Sequence, residues 1–289
     1  MAPNATTKHR QNLEIPKPII LIGKTLQFIS LKLGARFAMN LFTTPFKFKA
    51  PKRELEMEKH SEKTRERLPK AKKDFIAYRY GAPQKKKALL IHGWNGRGTQ
   101  LVTIANMLLK EGYHVVSFDA TGHGKSPKNK SNMLEFIEAS FVLQQHYGPF
   151  DLIIGHSLGG MATINAIKDG LQVKKAVIIG SGDVVQDIIK DFIGQLQLKP
   201  QIADLMKNSF EKHFDRSMDS FCVHDAAQHI DIPVLVIHDQ HDLDVPVSAA
   251  HQIAKHLKNG ELFITKKLGH RKILGDKIVL SKIKTFIDS

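Results

Sequence analysis

From Asp74 onward, short apolar or β-branched runs alternate with stretches whose apolar residues recur every three to four positions. The runs are Phe75–Tyr80, Ala88–His92, His114–Asp119, Leu152–Gly155, Ala176–Gly180, Val234–His238 and Leu262–Thr265, and each predicts a strand. Between them, helices are predicted near Gln100–Glu111, Asn132–His146, Leu158–Asp169, Val247–Leu257 and Lys277–Ile287. This alternation is the signature of an α/β domain with a mainly parallel sheet. The stretch from Asp183 to Ile232 breaks it. It is helical in pattern and rich in Phe, Met, Ile and Lys, so it reads as a helical cap inserted at about residues 184–231.

The first quarter of the chain has a different texture. Residues 1–17 are a polar tail. From Ile19 to Phe42 the sequence favours helix, with apolar residues on nearly every side, as in a helix packed on a larger domain. A second reading is a basic membrane-surface contact through Lys24, Lys32 and Arg36. Lys52–Lys73 is dense in Lys, Arg and Glu and predicts an exposed helix with mixed-sign pairs. The expected division is therefore a basic N-terminal extension over 1–73 and an α/β domain over 74–289. No spanning segment is expected, because Lys24, Lys32 and Arg36 interrupt the most apolar early stretch. A secretory leader fits poorly as well.

Composition changes this picture only through charge. At 289 residues and 42% hydrophobic, the chain is an ordinary globular protein able to bury a core without staples. The net charge of +15 invites a nucleic-acid partner. Yet residues 1–73 hold 17 Lys/Arg against 6 Asp/Glu, and residues 74–289 hold 26 against 22. The excess sits in the extension, without the interleaved aromatics of a nucleic-acid surface, and no nucleic-acid partner is expected. The single cysteine, Cys222, rules out an intrachain disulfide and suits a reducing, cytoplasmic setting. Nothing in the sequence sets an oligomeric state.

The chemistry concentrates at four places. Leu152–Gly160 reads LIIGHSLGG, a G-x-S-x-G with a strand before it and a helix after it. Such a serine must sit on a tight, strained turn so that its hydroxyl projects, with glycines allowing close packing around it. Leu89–Gly96 reads LLIHGWNG. Acyl transfer needs two N–H groups for the developing oxyanion. Leu158, after the serine, and Trp94, in the loop after the earlier strand, are placed to supply them. The third place is His238–Pro246, HDQHDLDVP, and the fourth is Lys267–His270, KLGH. A serine hydroxyl needs an imidazole as base, and the imidazole needs a carboxylate to set its tautomer.

These residues, with Asp119–Ser126 (DATGHGKS), resemble the α/β-hydrolase superfamily over about residues 74–289. The resemblance implies an α/β-hydrolase fold, with Ser157 as nucleophile, His270 as base, Asp242 as orienting acid, and Trp94 and Leu158 as oxyanion donors. His92, Gly93 and His156 are then expected beside the substrate, with the rings of His156 and His123 bonded to local backbone. One departure leaves the acid open. Asp239 stands where the family usually has Gly, so Asp239, Asp242 and Asp244 compete, and the spacing to Val245–Pro246 favours Asp242. The same crowding of His238, Asp239, His241, Asp242 and Asp244 lacks recognised zinc spacing, so no metal is expected. No dinucleotide or phosphate-loop fingerprint occurs, so no organic cofactor is expected. Arg97 reads as an exposed loop arginine rather than an anion ligand.

The expected function is hydrolysis of a carboxylic ester through an acyl-enzyme, on a small or lipid-like ester. Phe192, Met206, Lys207, Phe210 and Lys212 in the cap point toward an acyl chain beside a polar head. Thioester or peptide cleavage on the same residues, and a non-catalytic binder, are the alternatives.

Overall fold

Alternate residues of the central strands are apolar on both faces. Leu89 and Ile91, Ile153, Ala176 and Ile178, and Val234 and Val236 point into one core. Ala88 and Leu90, Leu152 and Ile154, Val177 and Ile179, and Leu235 and Ile237 point into a second. Side chains alternate across a strand, so an unbroken apolar run means a strand covered on both faces.

The computed structural model describes residues 15–289. The sheet has eight strands: β1 Ser61–Leu68, β2 Lys73–Tyr80, β3 Lys86–Ile91, β4 Tyr113–Asp119, β5 Phe150–His156, β6 Val173–Ile179, β7 Val234–Asp239 and β8 Gly260–Thr265. Their order is β1-β2-β4-β3-β5-β6-β7-β8. β2 is antiparallel to both neighbours, and every pair from β4 to β8 is parallel. The helices are α1 Lys17–Ile29, α2 Leu31–Phe42, α3 Lys52–His60, α4 Val102–Lys110, α5 Met133–Tyr147, α6 Leu158–Lys168, α7 Val185–Gln195, α8 Gln201–Phe214, α9 Val223–Ala227, α10 Ser248–His256, α11 Gly269–Lys272 and α12 Lys277–Asp288. Residues of α5, α6, α9 and α10 cover one face of the sheet. Residues of α3, α4 and α12 cover the other. This is an α/β-hydrolase fold with a mostly parallel sheet.

The first quarter of the chain departs from expectation in two ways. The helix expected over Lys52–Lys73 ends at His60, and Ser61–Leu68 is the antiparallel edge strand β1. The sheet therefore starts before Asp74. Arg65 and Arg67 both pair with Asp74 across the ladder, at 2.6 and 2.8 Å, so the charges that suggested a helix face instead bridge two strands. The helix expected over Ile19–Phe42 breaks at Ser30, whose backbone is extended (φ −161°) and whose hydroxyl accepts from Lys32 N–H to cap α2.

The cap comprises α7 and α8; after the short turn Met218–Phe221 the chain returns to the sheet as α9. Ile189, Ile193, Ile202 and Met206 of the cap bury a separate small core against Ala35 and Ala38 of α2. The N-terminal helices thus pack on the cap. Among the described residues, no helix is long and apolar enough to cross a membrane.

Candidate active site

The loop ends at the carboxyl edge of the sheet converge on one cavity of about 490 Å³. Trp94, His156, Ser157, Leu158, Asp244 and His270 line it. Each is placed by a strand end: Trp94 after β3, Ser157 after β5, Asp244 after β7 and His270 after β8.

Ser157 is held at φ 54° between β5 and α6, a left-handed conformation a serine seldom adopts. Its N–H donates to Ile179 O at 2.9 Å, tying the turn to β6. The turn closes only because its glycines lack side chains. A Cβ on Gly155 would meet Gly159 O at 2.3 Å, and one on Gly159 would meet Ile91 O at 2.3 Å. Leu158 is the first residue of α6, so its N–H has no intrahelical acceptor. Among the described residues, neither Leu158 N–H nor Trp94 N–H has a protein acceptor. Both remain available on cavity-lining residues beside Ser157.

His270 and Asp242 meet in a buried pair, with Nδ1 to Oδ2 at 2.7 Å. The other oxygen of Asp242 accepts from the N–H groups of Asp244 and Val245, at 2.8 and 2.9 Å. Burial pushes this carboxyl up, but the His270 bond and charge and those two N–H groups outweigh it and hold it below the usual range. An ionised carboxylate only accepts, so Nδ1 of His270 carries a proton toward Asp242. A second support comes from behind: His156 Nε2–H donates to His270 O at 2.9 Å. Gly180 makes room for the pair, since a Cβ there would lie 3.2 Å from His270 Nδ1.

The three competing aspartates are distinguished by their partners. Asp239 is buried and accepts from Leu268 N–H at 3.0 Å, Thr265 Oγ1 at 2.8 Å and His241 N–H at 2.9 Å. It staples the loop after β7 to the loop after β8. Asp244 lines the cavity, and its N–H caps Asp242. Asp242 reaches the His270 ring with a hydrogen bond, Oδ2 to Nδ1 at 2.7 Å.

Other expected residues fall differently. His92 and Gly93 lie outside the cavity lining. The His92 ring is buried, with Nδ1–H donating to Gly93 O at 2.7 Å and Nε2 accepting from Ala120 N–H at 3.0 Å. It shapes the loop and has no free edge to offer a substrate. Gly93 packs so close to Ser157 that a Cβ would lie 2.9 Å from the serine Cβ. His123 bonds its local carbonyl, Thr121 O, as expected, whereas His156 reaches His270 across the sheet. Arg97 is largely covered and turns to Glu54, 3.5 Å away, instead of to solvent. Of the five cap side chains expected near the substrate, only Phe210 lines the cavity. Met206 is in the cap core and Lys207 pairs with Asp219 at 2.7 Å.

Phe42, Thr43, Phe48, Lys49, Pro51 and Arg53 complete the wall from the N-terminal segment. This contribution was not foreseen, because nothing in a basic extension signals where its chain returns. Among the described residues, two sets of side chains bring possible metal ligands within 4.8 Å of one another: Asp242, Asp244 and His270, and Asp183, Cys222 and His224. The second set is held by its own protons. Asp183 pairs with His224 Nδ1 at 2.7 Å, and burial pushes the Cys222 thiol up to about 11, which makes it a poor ligand at neutral pH.

Comparison with known proteins agrees with this architecture. A family model described as alpha/beta hydrolase fold matches residues 89–221, and one described as TAP-like protein matches residues 217–289. The chain belongs to the α/β-hydrolase superfamily. An esterase of Pyrococcus furiosus superposes with a TM-score of 0.66 at 18% identity, covering 85% of this chain and 98% of that one. An esterase from Exiguobacterium antarcticum superposes with a TM-score of 0.61 at 16% identity, covering 78% and 99%. At these identities the likeness is one of fold. Among curated proteins, an (R)-3-hydroxydecanoyl-ACP:CoA transacylase of Pseudomonas putida is 26% identical over 199 residues, covering 55% of this chain and 67% of its own.

Proposed function

We propose that this α/β-hydrolase cleaves a carboxylic ester through an acyl-enzyme formed on Ser157. The observation that carries it is the buried 2.7 Å His270–Asp242 pair in the same cavity as a serine held at φ 54°. Ser157 Oγ adds to the ester carbonyl carbon while its proton passes to His270 Nε2. Asp242 keeps the proton on Nδ1 and stabilises the imidazolium that forms. Trp94 and Leu158 N–H groups receive the oxyanion. Collapse expels the alcohol, which takes the proton from Nε2, and water repeats the sequence to release the acid. The apolar wall, with Met133, Leu134, Met161, Ile188 and Phe210 among its residues, suits the acyl chain of a lipid-like ester.

A second reading has support in the transacylase relatives. A different nucleophile would then resolve the same acyl-enzyme, and the donor would be a thioester.

A fluorophosphonate probe followed by intact-mass measurement tests the shared step. The wild-type chain should gain a single adduct, and Ser157→Ala should gain none and lose at least about a thousandfold in ester turnover. Equal labelling or turnover of the two proteins would overturn the assignment. Adding a thiol acceptor to the acyl-ester assay separates the two readings, since acyl transfer yields a new thioester in place of free acid.

A further inference from the structure

We infer that α1 docks the protein on an anionic lipid surface. Helices of soluble proteins turn their apolar side inward, and α1 does so on one side only. There Gly23 is clamped, with Phe37 and Leu198 atoms 3.1 and 3.2 Å from where its Cβ would be. On the opposite side Phe28 is 91% exposed, Leu21 66%, Ile29 65% and Ile22 50%. At helical spacing these four fall within an arc of about 120°. The exposed Lys17 and Lys24 border that arc. A bare apolar stripe of this size on a monomer marks an interaction surface.

Charge decides which surface. Between Glu14 and Glu54 the chain holds eight Lys and Arg and no Asp or Glu. Among the described residues, Lys17, Lys32 and Arg36 form no ion pair, so their charge is available to an outside partner. A second copy of this chain would bring the same cations face to face, which opposes self-association. Large apolar side chains flanked by lysines match the layered chemistry of a bilayer surface: acyl chains below, phosphates above. Each basic residue near such a surface strengthens binding roughly fivefold. The apolar exposure continues along the chain to Phe46 and Phe48, and Phe48 also lines the catalytic cavity. That a bilayer ester would then reach Ser157 rests on the proposed hydrolysis; the docking does not.

The test is sedimentation of the full chain with phosphatidylcholine vesicles with and without phosphatidylglycerol. The wild type should sediment with the anionic vesicles, weakly with the neutral ones, and less as salt rises. The triple variant Leu21→Ser, Phe28→Ser, Ile29→Ser should bind at least tenfold more weakly, with far-UV circular dichroism and melting temperature unchanged. Lys17→Glu with Lys24→Glu leaves the apolar face whole and should weaken binding to anionic vesicles by roughly tenfold or more; it stands as the test if the triple variant fails to fold. Wild-type protein that ignores anionic vesicles would overturn the inference, as would variants that bind as well as wild type. So would a wild-type dimer made monomeric by the triple variant without vesicle binding, which would assign the face to a second copy. Because the readout is binding, its failure leaves the hydrolase reading untouched.

Discussion

The floor and the roof of the cavity are built by different physics. The floor is the carboxyl edge of the sheet, where almost every position is set by a hydrogen bond or by missing space. Asp242 accepts three bonds, Asp239 three more, and Gly155 and Gly159 leave no room for a methyl group. The roof is the cap with α2, held by apolar contact. Phe42 lies 5.3 Å from Phe192 and 6.4 Å from Phe210, ring to ring. Hydrogen bonds and glycine gaps are all-or-none, while apolar packing adjusts by degrees. On the proposed hydrolysis, the floor governs whether a bond breaks and the roof governs which substrate arrives.

The sharpest way to break that contrast is at the two buried aspartates. Asp242→Asn keeps the shape but no longer holds the proton on Nδ1 of His270, and kcat should fall about 10³–10⁴-fold with the melting temperature nearly unchanged. Asp239→Asn should do the reverse, costing about 1–3 kcal/mol in denaturant melts with a far smaller loss of turnover. Matching losses in the two variants would show that both carboxylates serve the chemistry. Next in size is the response to acid. Burial pushes His156 down to about 3 and His123 to about 4, and His92 is also well down. The unfolded chain takes up these protons near pH 6.5 while the folded rings stay neutral, so unfolding binds protons. Stability from these rings is complete above about pH 6.5 and is lost as the pH falls toward the folded values. Between pH 6.5 and 5 each ring should contribute a loss of ~2 kcal/mol, and His123→Gln should flatten the slope. The smallest effect belongs to the roof. Phe210→Ala should shift the preferred acyl length, changing relative kcat/KM across a chain-length series by no more than about tenfold. A loss as deep as that of Asp242→Asn would place Phe210 in the floor's class.

The sheet and much of the cavity lining were legible in the sequence for reasons that also mark the limits of such reading. Strands β3 to β7 are covered on both faces, so each shows as an apolar run. Ser157 sits in a local strand–turn–helix pattern, and His270 follows the last strand by a short loop. What failed was non-local. β1 hides its role because its Arg65 and Arg67 find Asp74 on the next strand, and eight residues dense in charge read as helix. The choice among Asp239, Asp242 and Asp244 depends on which groups each carboxylate meets, and two of Asp239's partners, Thr265 and Leu268, stand at and just beyond the end of β8. The cavity wall drawn from residues 42–53 leaves no periodic trace at all. One such signal is local: Ser30, followed by a new apolar period, is an N-cap that divides the expected long helix in two.

That wall from residues 42–53 has a consequence for recombination. The family models begin at residue 89, well after the stretch that supplies Phe42, Phe48 and Arg53 to the cavity. A chimera joining a foreign leader segment to this chain at Glu54 would inherit the reactive groups intact and a chamber open on one side. On the proposed esterase reading, such a protein would still turn over small, undemanding esters while losing its choice among long ones. On that reading, selectivity and reactivity are inherited from separate stretches of the chain and can be exchanged separately.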